Sequence, residues 1–291
     1  MKHVWLTTLM VCLGTVATDI ARGEDACSIV RAPDSRAVVI PFSVVDGRIY
    51  VQARVNGKGP FRFAVDTGAS GVGRLDSSLL PTLGLQSSGS AATSDGVTTA
   101  EAETTAVESL SVGSIERRGL SLITRDYRKH VSGEAAFDGI LGREFFADGL
   151  LVIDYGARKI SFSTSRGLSR DDAGALPYER AFRVPITIGA KSFEANLDSG
   201  ANVAMVVPAR LWPEVSGSAL EKAASGQLTN GKIETSKGVV PGPVKAGAMR
   251  WSDVDAKVSE RFPEILIGAH ALSSTVLAID QRSRSIALCP N

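Results

Sequence analysis

Histidine and cysteine are scarce, each occurring three times in 291 residues. The histidines His3, His130 and His270 lie far apart, and no group of His and Cys has the spacing of a metal site, so no metal is expected. No Gly-x-Ser-x-Gly stretch occurs, which counts against a serine hydrolase of the α/β type. Charge of one sign is missing too. Lys and Arg number 32 against 31 Asp and Glu, interspersed, which excludes a basic stripe for nucleic acid and a polybasic membrane anchor. Residues 226–232 fit most of a phosphate-binding loop, but Ile233 replaces the Ser or Thr that would hold magnesium, and no buried strand leads in. No cofactor is therefore expected.

Long amphipathic helical periods are also absent. The best helix candidates are the short stretches 77–83, 208–215 and 271–274. Elsewhere apolar residues alternate, as at Ile49, Val51, Ala53 and Val55 after the Asp46-Gly47 turn, so the class is all-β with small helices. No apolar run is long enough to span a bilayer comfortably. Residues 4–17, after Met1-Lys2-His3, form the longest, roughly 14 residues. Residues 1–23 read as a secretory signal with cleavage after Ala17, Ala21 or Gly23, a retained anchor being the alternative. The mature protein would then be secreted or periplasmic, with no membrane attachment. It would keep two cysteines, Cys27 and Cys289, which pair in an oxidising compartment or else remain two free thiols.

What the chain does have is one motif twice. Phe61-Arg62-Phe63-Ala64-Val65-Asp66-Thr67-Gly68-Ala69 returns as Phe193-Glu194-Ala195-Asn196-Leu197-Asp198-Ser199-Gly200-Ala201. In each, an alternating strand runs into an Asp, a hydroxyl residue and a Gly that permits a tight turn. Asn56-Gly57 lies nine residues before Asp66, and Gly189 nine before Asp198, so each Asp strand is the second arm of a hairpin. Downstream, Asp138-Gly139-Ile140-Leu141-Gly142 has its counterpart in Glu264-Ile265-Leu266-Ile267-Gly268. Twelve residues on from each Gly come Asp154 and Asp280. The spacing describes a tandem duplication of roughly 110–130 residues, the size of a domain.

These residues resemble the aspartic proteases, in which a strand delivers Asp-Thr/Ser-Gly and a later apolar pair followed by Gly packs across the loop. The layout resembles the pepsin type, with two lobes in one chain. Ala69 and Ala201 resemble the retroviral type. The resemblance implies two homologous β-barrel-like lobes, 24–165 and 179–291, with a cleft between them and a linker at 166–178, where Gly, Pro and charge gather. It implies an endopeptidase acting on peptide or protein substrates as a monomer, Asp66 and Asp198 sharing a water. Thr67 and Ser199 would reach to the opposite loop's backbone, Gly68 and Gly200 would allow the turns, and Gly142 and Gly268 would support them. The hairpins at Asp95-Gly96 and Asn230-Gly231 are flap candidates, and meeting chain ends would let Cys27 and Cys289 pair. An inactive peptide-binding or inhibitory protein of the same fold is the alternative.

Overall fold

Short turns set the strand pattern. Asp46-Gly47 and Asn56-Gly57 both take left-handed backbone, with φ of 51° and 78° at the first and 50° and 73° at the second. That conformation at both central residues matches the twist of a two-residue hairpin. It produces the meander Ser43–Val45, Arg48–Val55, Lys58–Val65. The computed structural model describes residues 24–129 and 131–291, so the expected signal segment lies outside the described residues.

The protein is all-β. An eight-stranded sheet runs in the order Ser43–Val45, Arg48–Val55, Lys58–Val65, Gly139–Leu141, Gly73–Asp76, Ile115–Arg125, Thr99–Val112, Ser87–Ser94. A further pairing between Arg48–Val55 and Thr99–Val112 curls it toward a barrel. A nine-stranded sheet is drawn from later residues, centred on Lys191–Asp198, Ile265–Gly268 and Met205–Pro208.

The two sheets repeat one arrangement. Lys58–Val65 lies parallel to Gly139–Leu141 with Val65 opposite Leu141, and Lys191–Asp198 lies parallel to Ile265–Gly268 with Leu197 opposite Ile267. The strand after each Asp loop then pairs antiparallel with that same apolar strand. A third, six-stranded sheet takes strands from both ends of the chain. Its seam is Leu150–Asp154 against Thr275–Asp280. The hairpins meeting there turn through Arg158 and Arg284, matched positions with φ of 51° and 56°. Phe63, Leu75, Leu141, Leu197 and Ile267 are among the side chains of the main apolar core.

The structure adjusts several local expectations. A helix at Ala26–Arg31, too short to show a period, is capped by Asp25, whose side chain accepts the Ser28 N–H at 2.8 Å. The helices at Leu79–Leu83 and Trp212–Val215 fall within the stretches expected. The last, Ala269–Leu272, begins two residues early because the Ala269 and His270 N–H groups already donate to Ala201 and Val203. Segment 166–178 is woven into the structure. Ala173 exchanges backbone hydrogen bonds with Glu24 and Ala26, and Leu176–Pro177 pairs with the last strand.

Cys27 and Cys289 form a disulfide with Cα atoms 5.7 Å apart, fastening the first helix to the last strand, Ser285–Pro290. Around it Ala26, Val30, Leu168 and Ala287 pack as a separate apolar cluster. On a chain-entropy account, closing a 262-residue separation stabilises the fold by up to about 5 kcal/mol. Cys27→Ser and Cys289→Ser should each lower the thermal midpoint by up to roughly 10–20 °C, to the same level as reduction of the native protein, in a differential scanning measurement.

Candidate active site

Each Asp stands where a strand leaves its parallel partner. The Asp66 N–H still donates to the Leu141 carbonyl at 3.0 Å, and beyond it the chain turns. The apolar-Gly segments hold both turns in the same way. Arg143 N–H donates to the Ala69 carbonyl at 3.0 Å, and Ala269 N–H to the Ala201 carbonyl at 2.8 Å. Gly is required at the crossing. A Cβ on Gly142 would lie 3.0 Å from the Ala69 oxygen and closer still to that of Gly71, and one on Gly268 would lie 2.7 Å from the Ala201 oxygen.

The two loops then interlock. Thr67 Oγ1 donates to the Leu197 carbonyl at 3.0 Å and accepts the Ser199 N–H at 3.0 Å. Ser199 Oγ donates to the Val65 carbonyl at 2.8 Å and accepts the Thr67 N–H at 3.1 Å. Both residues are buried, so these four bonds have no competing water.

This lock places the carboxyls face to face. Asp66 Oδ1 accepts the Gly68 and Ala69 N–H groups, each at 2.9 Å, and Asp198 Oδ1 accepts the Gly200 N–H at 2.8 Å with the Ala201 N–H assisting. Alanine at 69 and 201 supplies a backbone donor and no hydroxyl. Gly68 faces the Asp198 carboxyl and Gly200 faces that of Asp66, each so closely that any Cβ would overlap it. Burial, then the charge of Asp66, pushes Asp198 up to about 7, since two like charges cannot both ionise cheaply in one desolvated site. Among the described residues no group of three or more His, Cys, Asp or Glu is gathered to hold a metal.

A strap beside the second loop escaped the sequence reading. Arg48 Nε donates to the Gly200 carbonyl at 2.6 Å, and its Nη2 donates to Asn202 Oδ1 at 3.0 Å. Asn202 Nδ2 donates in turn to Asp46 Oδ2 at 2.6 Å, while His270 Nε2 lies 2.9 Å from Asp46 Oδ1. These partners, Asn202 first, hold the Asp46 carboxyl below its usual range. The Asp46-Gly47 hairpin turn was the one part of this visible as pattern. A cavity of about 590 Å³ opens alongside, bordered by Asn202, Val203, Ala204 and His270.

The flap candidates come together at their tips. Asn230 N–H donates to Asp95 Oδ2 at 2.7 Å, and Asn230 Nδ2 donates to the carbonyls of Thr98 at 2.7 Å and Thr93 at 3.2 Å. Asp95-Gly96 turns as expected, with Gly96 at φ 86°. The second hairpin turns one residue early, through Thr229-Asn230, and Gly231 opens the return strand opposite Leu228. Asn230 is thereby spent on the facing turn.

Removing one hydroxyl from the interlock leaves a buried carbonyl and a buried N–H unpaired, at about 1–3 kcal/mol for each group. Thr67→Val should therefore lower stability by roughly 2–6 kcal/mol in urea unfolding, and Thr67→Ser should restore most of it.

Sequence comparison agrees with the geometry. No curated protein matches the chain. Residues 51–145, which carry the first Asp strand, its loop and the Ile140-Leu141-Gly142 support, match a family model described as aspartyl protease. Residues 51–145 are thus similar to the aspartyl protease family, and the all-β fold around them is consistent with that likeness.

Proposed function

We propose that this protein is an aspartic endopeptidase that hydrolyses peptide bonds with a water activated between Asp66 and Asp198. The observation that carries the reading is the reciprocal arrangement of the two carboxyls, each facing the other loop's glycine, one of them inclined to keep its proton at neutral pH. Hydrolysis needs a base to activate the water and an acid for the substrate carbonyl and leaving nitrogen. Ionised Asp66 takes a proton from the water as its oxygen attacks the carbonyl carbon, and protonated Asp198 gives its proton to the carbonyl oxygen. Collapse of the tetrahedral intermediate passes a proton to the departing amine.

In this reading residues 24–165 and 179–291 are two lobes joined through 166–178, and the cleft lies between them. The tips at 95–96 and 229–231 act as a lid, and parting the Asn230 contacts admits a peptide. One chain supplies both carboxyls, so a monomer suffices. The Cys27–Cys289 disulfide suits a secreted or periplasmic protein. The alternative is an inactive peptide-binding or inhibitory protein. The absence of an aromatic residue from 93–98 and 228–233 favours it.

Hydrolysis of a mixed peptide library, blocked by a statine-type inhibitor, tests the proposal directly. Asp66→Asn and Asp198→Asn should each abolish turnover, and the double variant should be no worse than either single one. Activity should fall as pH rises through about 7, where Asp198 loses its proton. Stability carries the same sign. Between the ordinary carboxyl value of 3.8 and about 7 the folded state holds a proton that the unfolded state has released, so stability falls across that window. Asp198→Asn should therefore melt with the parent near pH 4 and above it beyond pH 7. Parent-like turnover in Asp198→Asn would refute the mechanism.

A further inference from the structure

Several arginines in this molecule are spent on carboxylates or on backbone carbonyls. Arg117 meets Asp148, Arg183 meets Glu264 and Arg282 meets Asp280, while Arg48 and Arg210 donate to carbonyls. Arg74 and Arg125 do neither. Among the described residues neither has a carboxylate partner, and buried Nε of Arg74 and buried Nε and Nη2 of Arg125 donate to nothing. Arg74 is only 5% exposed. Keeping a guanidinium out of water with donors unused is costly, and a structural role would have supplied an acceptor.

The nearest carboxylate by register is engaged elsewhere. Arg74 and Asp76 alternate along Gly73–Asp76, facing Ile123 and Arg125 of the parallel neighbour, so all four share one sheet face. Asp76 Oδ1 accepts the Ser78 N–H at 3.0 Å, and Oδ2 accepts the N–H groups of Tyr127 at 2.8 Å and Arg128 at 3.1 Å. No guanidinium is among its partners. Tyr127, 8% exposed, stands beside these arginines, its buried hydroxyl within reach of the Arg74 guanidinium and with no other partner. The positive charges of both Arg74 and Arg125 act on that hydroxyl, and so does the negative charge of Asp66.

This face leads to the dyad. Arg74 lies opposite Ile140 across the antiparallel pairing. Ile140 packs in one apolar cluster with Tyr50, Ala64, Ala69, Tyr127 and Phe137, and Ala64 and Ala69 flank Asp66 in the chain. The Tyr127 and Phe137 rings lie 5.4 Å apart. An apolar platform beside Asp66 that ends in two cations with no carboxylate and a phenol suits a carboxylate on a short aliphatic stem. Guanidinium groups bind carboxylates with charge-assisted, often bidentate hydrogen bonds.

We propose that Arg74, with Arg125 and the Tyr127 hydroxyl, forms a carboxylate-binding subsite on the Asp66 side of the cleft, so that substrates carrying a carboxylate near the scissile bond are preferred. The inference rests on the endopeptidase reading for its use, though the subsite itself is a matter of binding. The carboxylate is either a Glu side chain or the free C-terminus of the peptide.

Binding to the Asp198→Asn variant, which holds peptides uncut, tests it independently of turnover. The probes are acetylated, amidated peptides identical except for one Glu or Gln walked along the sequence, plus the Gln peptides with a free C-terminus. At one position Glu should bind roughly 10–100-fold tighter than Gln by calorimetry, as expected for hydrogen bonds to a charged group. If the terminus is the ligand, the gain appears with the unblocked peptides instead. Adding Arg74→Gln should reduce the ratio to about one, Arg74→Lys should restore part of it, and Arg125→Gln should lower it. The Arg74→Gln protein should melt no lower than its parent, whereas a structural arginine would leave a measurable loss. Equal binding of all probes, or a ratio that survives Arg74→Gln, would overturn the subsite. Loss of hydrolysis with the ratio intact would overturn the endopeptidase reading alone.

Discussion

Two buried hydroxyls hold the candidate site together. Thr67 and Ser199 each give a proton to the carbonyl preceding the other loop's Asp and take one from the other's backbone, so neither Asp loop has its shape without the other. The arrangement is rigid because every bond is buried, and it sets two carboxyls in opposition where either alone would prefer water. Burial first, and then the opposing charge of Asp66, is what raises Asp198 toward neutrality.

That cost has to be met by the rest of the molecule. The Ile140-Leu141-Gly142 and Leu266-Ile267-Gly268 segments contribute by serving two purposes at once. Their apolar side chains fill the sheet, and their glycines let the Asp loop pass so closely that its carbonyls are satisfied. The Arg48, Asn202, Asp46 and His270 strap adds a charged tie from the first half of the chain to the back of the Asp198 loop. Asp198 is thus braced by residues of the first half at two separate places.

The features legible in the sequence were those whose cause is local. Asn56-Gly57 and Asp46-Gly47 are hairpin turns because of backbone freedom at two residues, and the Asp strands alternate because one face is buried. The Thr67 and Ser199 roles came with the family resemblance, and their hydroxyls donate to the Leu197 and Val65 carbonyls. The strap and the Arg74, Arg125 and Tyr127 group were not legible. Arg48 and Gly200 are 152 positions apart, and nothing in the neighbours of either predicts the contact. Arginines enclosed without a carboxylate likewise look like ordinary surface arginines until the fold surrounds them. The Asn230 turn was displaced by one residue for the same reason, since its backbone N–H answers to Asp95, 135 positions away, and its side chain to the Thr93 and Thr98 carbonyls.

The disulfide has a topological consequence. Cys27 lies before the Asp66 loop and Cys289 after the Asp198 loop, while the backbone joins the two loops through the residues between them. Peptide chain and sulfur bridge therefore close a covalent ring around the whole molecule. A single backbone cut in that connecting stretch would open the ring without releasing either piece. The product would be a two-chain protein, still tethered at its base and still clasped at the Thr67 and Ser199 crossing.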